Sequence, residues 1–216
     1  MKKLLIVLTI LAACAAGAQA DVIWDQSDYD AIGMWGLWDS VSGCAPFGGS
    51  IHWANDVPIF DQVTITSIST YYTPFNFDTG SAFQAYLLIT PKTGAIPVDG
   101  VDLPQENGTL VNITSVADGN GIWVIKADGL SVSLSPGDYW ISLTPILPGG
   151  PWGPDFHIIS LSPWGDPSAA YEYCGQFPSA WTPNVDSVDG SILVEGTIDV
   201  VPTDDATWSE LKALFR

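Results

Sequence analysis

Apolar and polar residues alternate along most of this chain. Over residues 130–134, Leu130, Val132 and Leu134 are separated by Ser131 and Ser133. Over residues 139–143, Tyr139, Ile141 and Leu143 are separated by Trp140 and Ser142. Period-two alternation puts successive side chains on opposite faces, so each run reads as a strand with one buried face. Ser135-Pro136-Gly137-Asp138 between them is turn chemistry, and residues 130–143 are expected to form a β-hairpin. Residues 60–72 give a long strand signal whose phase slips between Ile65 and Ile68, which predicts a bulge near Thr66–Ser67. Residues 83–90 are apolar on both faces and read as a central strand. Residues 110–116 and 122–127 flank Asp118-Gly119-Asn120-Gly121, a hairpin-turn signal. Residues 156–161, 170–174 and 191–198 supply further strands.

That gives roughly nine or ten short strands with turns between them and no long helical period. The expected fold is all-β: an antiparallel two-sheet β-sandwich, jelly-roll-like, over residues 21–200. Residues 201–216 differ. Val201–Asp205 reads as a linker, and Thr207 with Glu210 is a capping-box pattern. Trp208, Leu211, Leu214 and Phe215 then recur at helical spacing, with Lys212 and Arg216 toward the end. A short amphipathic helix or tail is expected there.

Residues 1–20 read as a signal peptide: Lys2 and Lys3, an apolar run over 4–11, and Ala18-Gln19-Ala20 before Asp21. A second reading competes. Leu11-Ala12-Ala13-Cys14 fits a lipoprotein signal, which would leave Cys14 as a lipid anchor. No segment of the mature chain is apolar for long enough to span a membrane. Both readings place the protein outside the cell or at its surface.

Export changes how charge and cysteine are read. The chain carries a net charge of −18, and beyond residue 20 only Lys92, Lys126, Lys212 and Arg216 are basic. That argues against nucleic acid and anionic membranes as partners, since both reward Lys and Arg. Cys44 and Cys174 remain after cleavage at Ala20 and are expected to pair as a disulfide in an oxidising compartment.

Three segments carry a likeness: 52–57 (His-Trp-Ala-Asn-Asp-Val) leading into 63–68, residues 83–89 followed by Gly94-Ala95-Ile96-Pro97, and 134–143. With these the chain resembles a loosely defined group of secreted bacterial β-sandwich proteins that often carry C-terminal sorting signals. In that group the first segment looks like a strand after an Asp-rich turn. The resemblance implies fold and compartment and no catalytic residues.

Catalytic signatures are sparse. The two histidines, His52 and His157, sit in no zinc or nucleophile motif and read as residues packed at a sheet edge. Calcium would take oxygen ligands from tightly spaced acids and amides; the candidates are Asp25, Asp28 and Asp30, then Asp118 with Asn120, and Asp186 with Asp189. Ten tryptophans are the most informative feature. Trp24, Trp35, Trp38, Trp53, Trp123 and Trp140 lie in or near strands and are read as packing residues. Trp152, Trp164 and Trp181 lie in Pro/Gly loops, where they either form a binding platform or fold back as plugs over the core. The expected function is structural or adhesive and non-enzymatic, at the cell surface or in extracellular matrix, with polysaccharide or another surface protein as partner. The first alternative is a carbohydrate-binding module using the loop tryptophans, with a structural calcium. The second is a carboxylate-based hydrolase, which needs only two suitably spaced acids.

Overall fold

The computed structural model describes residues 20–29, 37–38, 50–73, 82–99, 101–118, 121–146, 156–157, 160–161, 164–167, 169–173, 181–183 and 189–199. Residues 1–19, with the leader and Cys14, and the segment 200–216 lie outside them. The strands in chain order are β1 (Asp21–Asp25), β2 (Leu37–Trp38), β3 (Ser50–Ile59), β4 (Val63–Thr73), β5 (Gln84–Pro91), β6 (Thr109–Asn112), β7 (Thr114–Ala117), β8 (Trp123–Leu134), β9 (Gly137–Pro145), β10 (Phe156–His157), β11 (Ala169–Tyr173), β12 (Trp181–Pro183) and β13 (Ile192–Ile198). One four-residue helix, α1 (Pro104–Asn107), lies in the connection between β5 and β6. No helix among the described residues is long and apolar enough to cross a membrane.

The strands form two antiparallel sheets packed as a sandwich. In the first, β4 is central. It pairs with β8 along one side, and with β13 and then β10 along the other; β1 extends the sheet beyond β13, β2 beyond β10 and β7 beyond β8. The second sheet runs β12-β11-β3-β9-β5-β6. Eight strands make a jelly roll: β1 pairs with β13, β3 with β9, β4 with β8 and β5 with β6. First pairs with last, second with seventh, third with sixth and fourth with fifth, as in one long antiparallel ribbon wrapped into two sheets. The inner faces meet in one core that includes Val57, Ile65, Ile68, Tyr72, Ile125 and Ile141. Tyr72 donates its hydroxyl proton to the Leu143 carbonyl at 3.3 Å and so ties one sheet to the other.

The expected hairpin over residues 130–143 is a correction. β8 pairs with β4 and β7, whereas β9 pairs with β3 and β5, so the Ser-Pro-Gly-Asp turn carries the chain from one sheet to the other. The alternation is the same in both arrangements. In a hairpin the two apolar faces lie side by side, but here Leu134 and Leu143 enter the same core from opposite sheets. The second expected hairpin is present: β7 and β8 pair from Thr114↔Lys126 to Ala117↔Trp123. Its first strand is shorter than expected, because the chain changes sheet at buried Ile113, between β6 and β7.

The expected bulge is also present. Glu195 faces Ser67 and Gly196 faces Ile65, leaving Thr66 without an opposite residue. A Cβ on Gly196 would collide with the Thr64 carbonyl, so the close backbone approach beside the bulge requires glycine.

Residues 52–57, which together with 63–68 resembled a strand after an Asp-rich turn, are not a turn but the middle of β3, and all of residues 52–59 are buried. Both faces of β3 are covered. Val57 and Ile59 point into the sandwich. Ala54 joins Trp140, Ala169 and Trp181 in a second apolar cluster on the outer face, closed by Ile96 and Leu103 from the β5–β6 connection. His52 therefore sits in a central strand and not at a sheet edge. Its Nδ1 lies 3.1 Å from Thr144 Oγ1, which in turn lies 3.1 Å from Ser142 Oγ. The His157 side chain lies outside the described residues.

Candidate functional site

Three aromatic rings follow one another at the surface where β1, the β3–β4 turn and the segment before β11 converge. Trp24 and Trp164 meet edge to face with centroids 5.7 Å apart, and Trp24 lies 6.5 Å from Phe60. Trp164 is 53% exposed and Phe60 is 68% exposed, while Trp24 is partly buried between them. Large apolar surface left in water is costly, so these neighbouring rings are the candidate site.

Each ring reaches this ledge for a local reason. In β1, Val22 faces Glu195 and Trp24 faces Val194, so Ile23 is an extra residue, and this bulge re-aims Trp24 at the strand's end. Phe60 is the first residue after β3, at the point where the chain leaves the covered strand for the turn into β4. Trp164 is set by hydrogen bonds to its backbone neighbourhood. Its amide donates to Asp189 Oδ2 at 2.6 Å. Two residues on, the Asp166 amide donates to Asp56 Oδ2 at 3.0 Å.

The ledge rests on a buried polar network. Trp24 Nε1 donates to Gln26 Oε1 at 3.0 Å, and Gln26 Nε2 donates to Asp189 Oδ2 at 3.1 Å. The oxygen that holds the Trp164 backbone thus also holds the side chain that holds Trp24. Beside it, the Gly190 amide and Trp53 Nε1 both donate to Asn55 Oδ1, at 2.9 and 3.2 Å. Buried polar groups satisfied in this way rigidify their surroundings. Rings fixed before a ligand arrives lose little freedom on binding.

The second anchor, Asp56, is also buried. Lys92 Nζ lies 2.5 Å from Asp56 Oδ2 and 2.8 Å from Asp166 Oδ2, and sits 5.1 Å from the centroid of the Trp140 indole. Burial pulls the Lys92 ammonium's pKa down, but its hydrogen bonds to Asp166 and Asp56 outweigh that and hold it above the ordinary lysine value. Gly165, at φ 70°, presses on the same carboxylate, and a Cβ there would collide with Asp56 Oδ2.

The candidate tryptophans separate. Trp164 is exposed on the ledge. Trp181 is 2% exposed in β12; its Nε1 donates to the Asp102 carbonyl at 2.9 Å and its amide to Asp99 Oδ1 at 2.5 Å, so it plugs the outer face of the second sheet. Trp152 lies outside the described residues. In place of those two, the structure brings Trp24 and Phe60 beside Trp164. Trp24 reads as a packing residue in the sequence, and Phe60 as the start of a strand. The available signal was Phe60-Asp61-Gln62, an aromatic residue at a polar break between two strand patterns.

The candidate calcium ligands serve turns and ties. Asp25 Oδ1 accepts from the Ser27 amide at 2.9 Å and from Ser27 Oγ at 2.5 Å. Asp28 Oδ1 accepts from Ser160 Oγ at 2.8 Å. Asp118 Oδ1 accepts from the Ile122 amide at 3.2 Å, closing the β7–β8 turn, and Asp118 Oδ2 accepts from the Tyr29 hydroxyl. Asp30, Asn120 and Asp186 lie outside the described residues, and Asp189 belongs to the network under the ledge. Among the described residues, no three His, Cys, Asp or Glu side chains gather as a metal site would require. Cys44 and Cys174 also lie outside the described residues.

No protein-family model, curated protein or solved structure matches this chain.

Proposed function

We propose that this is an exported, non-catalytic β-sandwich with an adhesive role at the cell surface or in extracellular matrix, and that it holds polysaccharide on the ledge of Trp164, Trp24 and Phe60. The observation that carries this reading is Trp164, an exposed indole on a backbone pinned by a buried carboxylate. Sugar rings offer flat C–H faces that stack on aromatic rings. Export is supported by the leader-like residues 1–20 and by the likeness to secreted bacterial β-sandwich proteins. A binding role without turnover of a substrate is supported by the buried acids Asp102 and Asp189, each of which accepts a backbone N–H as part of the fold.

The test is retention of the full exported chain on a panel of insoluble and soluble polysaccharides, with calcium and then with EDTA. Trp164→Ala and Phe60→Ala are each expected to weaken binding about ten-fold, equivalent to ~1.4 kcal/mol. Failure of the wild type to bind any glycan, or undiminished binding by both variants, would sink the reading.

A further inference from the structure

We propose that Lys92 and Asp56 condense with one another into an intramolecular isopeptide bond, with Asp166 as the proton carrier. The two residues come from separate parts of the second sheet. Asp56 is in β3 opposite Trp140 of β9; Trp140 is opposite Thr90 of β5, and Lys92 follows β5 directly. The Lys92 side chain crosses the Trp140 indole to reach Asp56, and Nζ stops 2.5 Å from Oδ2, within reach of the adjacent Cγ.

Water has little access to the pair. The Asp56 side chain is 4% exposed and that of Lys92 is 14% exposed. The Trp140 ring covers one side, and the Gly165 backbone leaves no room for even a methyl group beside Oδ2. Two charges held out of water pay a desolvation cost that a neutral amide does not. Fixed proximity of amine and carboxyl also supplies a large effective concentration, of order 10⁵ M or more in well-oriented systems. Both effects oppose the preference of free amines and acids in water to remain apart.

The atoms balance. One proton of the Lys92 ammonium moves along its hydrogen bond to Asp56, leaving an amine beside a carboxylic acid. The amine lone pair attacks Cγ and forms the N–C bond. Asp166, already hydrogen-bonded to Nζ at 2.8 Å, takes the proton that nitrogen sheds. It returns that proton to the departing hydroxyl, the C–O bond breaks, and water leaves. Asp166 ends as it began, nothing is oxidised or reduced, and no co-reactant is needed. The product fastens β3 to the chain after β5 across the intervening strand. It also holds in place the loop that carries Trp164, but it does not depend on what the ledge binds.

The experiment is the intact mass of the full chain recovered after export, denatured and reduced, followed by peptide mapping. The expected wild type is lighter than its sequence by one water, with a branched peptide joining Lys92 to Asp56. Lys92→Arg restores the full mass. Asp166→Asn is expected to do so while keeping the far-ultraviolet spectrum of the wild type. Full mass in the folded wild type, with Lys92 and Asp56 on separate peptides, overturns the proposal. A water loss that maps instead to succinimide at an Asp-Gly step such as Asp118-Gly119 also overturns it.

Discussion

The Trp164 amide and the Asp189 carboxylate are joined by a 2.6 Å hydrogen bond, and this bond connects the most exposed indole among the described residues to the buried interior. Asp189→Ala removes an acceptor that also serves Gln26 Nε2. Stranding buried donors costs about 1–3 kcal/mol. Urea unfolding should show that loss, and glycan retention should fall with it because Trp164 and Trp24 lose their common support. Wild-type retention by Asp189→Ala would show that the ledge holds its shape without the network.

Trp164 and Trp181 should part company on substitution. Trp164→Ala removes an exposed ring and should change stability by less than about 0.5 kcal/mol. Trp181→Ala empties a buried site and should cost about 3–5 kcal/mol. Denaturant midpoints of the two variants, measured side by side, check this; equal losses would contradict the division between ledge and plug.

Gly165 stands at φ 70° against the Asp56 carboxylate. Gly165→Ala must pay for left-handed backbone, about 1–2 kcal/mol, and for displacing Asp56 as well. A larger loss than that of Gly121→Ala is expected. Gly121 also has positive φ, but a Cβ there would meet nothing within 4 Å. Thermal unfolding of the two variants decides it.

Acid should loosen one patch on the first sheet. Hydrogen bonds from Lys126 and Ser67 hold the Glu195 carboxyl below the ordinary glutamate range, against the opposing effect of burial. A depressed carboxyl contributes stability above its unfolded pKa, near 4.3, and the contribution drains away as pH falls through the lower folded value. The patch is partly exposed, so the effect should stay under about 1 kcal/mol. Unfolding curves of wild type and Glu195→Gln should differ at neutral pH and converge below about pH 4. Lys126, whose pKa is raised chiefly by its hydrogen bond to Glu195, works in the opposite sense. Its contribution is complete below the unfolded lysine pKa and is lost as pH rises through the higher folded value.

Ser50 and Tyr173 are paired neighbours in β3 and β11. Cys174 follows Tyr173 directly, and Cys44 precedes Ser50 by a short stretch of chain. Exported protein should titrate with no free thiol at these two positions before reduction. Reduction should lower stability by about 2–4 kcal/mol. Two titratable thiols in the unreduced, exported protein would rule out the pairing.

Some of this molecule was legible in residue order. Alternation and turn residues depend on neighbours in the chain, and they located most strands, the bulge at Thr66 and the β7–β8 hairpin. β3 was harder. Asn55 and Asp56 look like turn residues, and His52 like a residue at a sheet edge, until the strand is seen to be covered on both faces, where each finds a partner from a distant element. The 130–143 turn misled for a related reason: Pro136 and Gly137 specify a reversal, and a reversal within one sheet has the same local chemistry as a crossing between two.

The sequence by itself determined the class of fold, because a period of two is a local property of the backbone. It also determined the acidic balance and the leader-like start, because composition needs no partner. Which tryptophan is exposed was decided only by tertiary structure. Trp164 and Trp181 occupy similar loops in the sequence, yet one amide met a buried carboxylate that left its ring outside, and the other ring met an apolar sheet face that took it in. Burial depends on what the rest of the chain brings to a residue, and the wrapping of the jelly roll brought Asp189 to Trp164, Trp140 to Trp181 and Asp56 to Lys92.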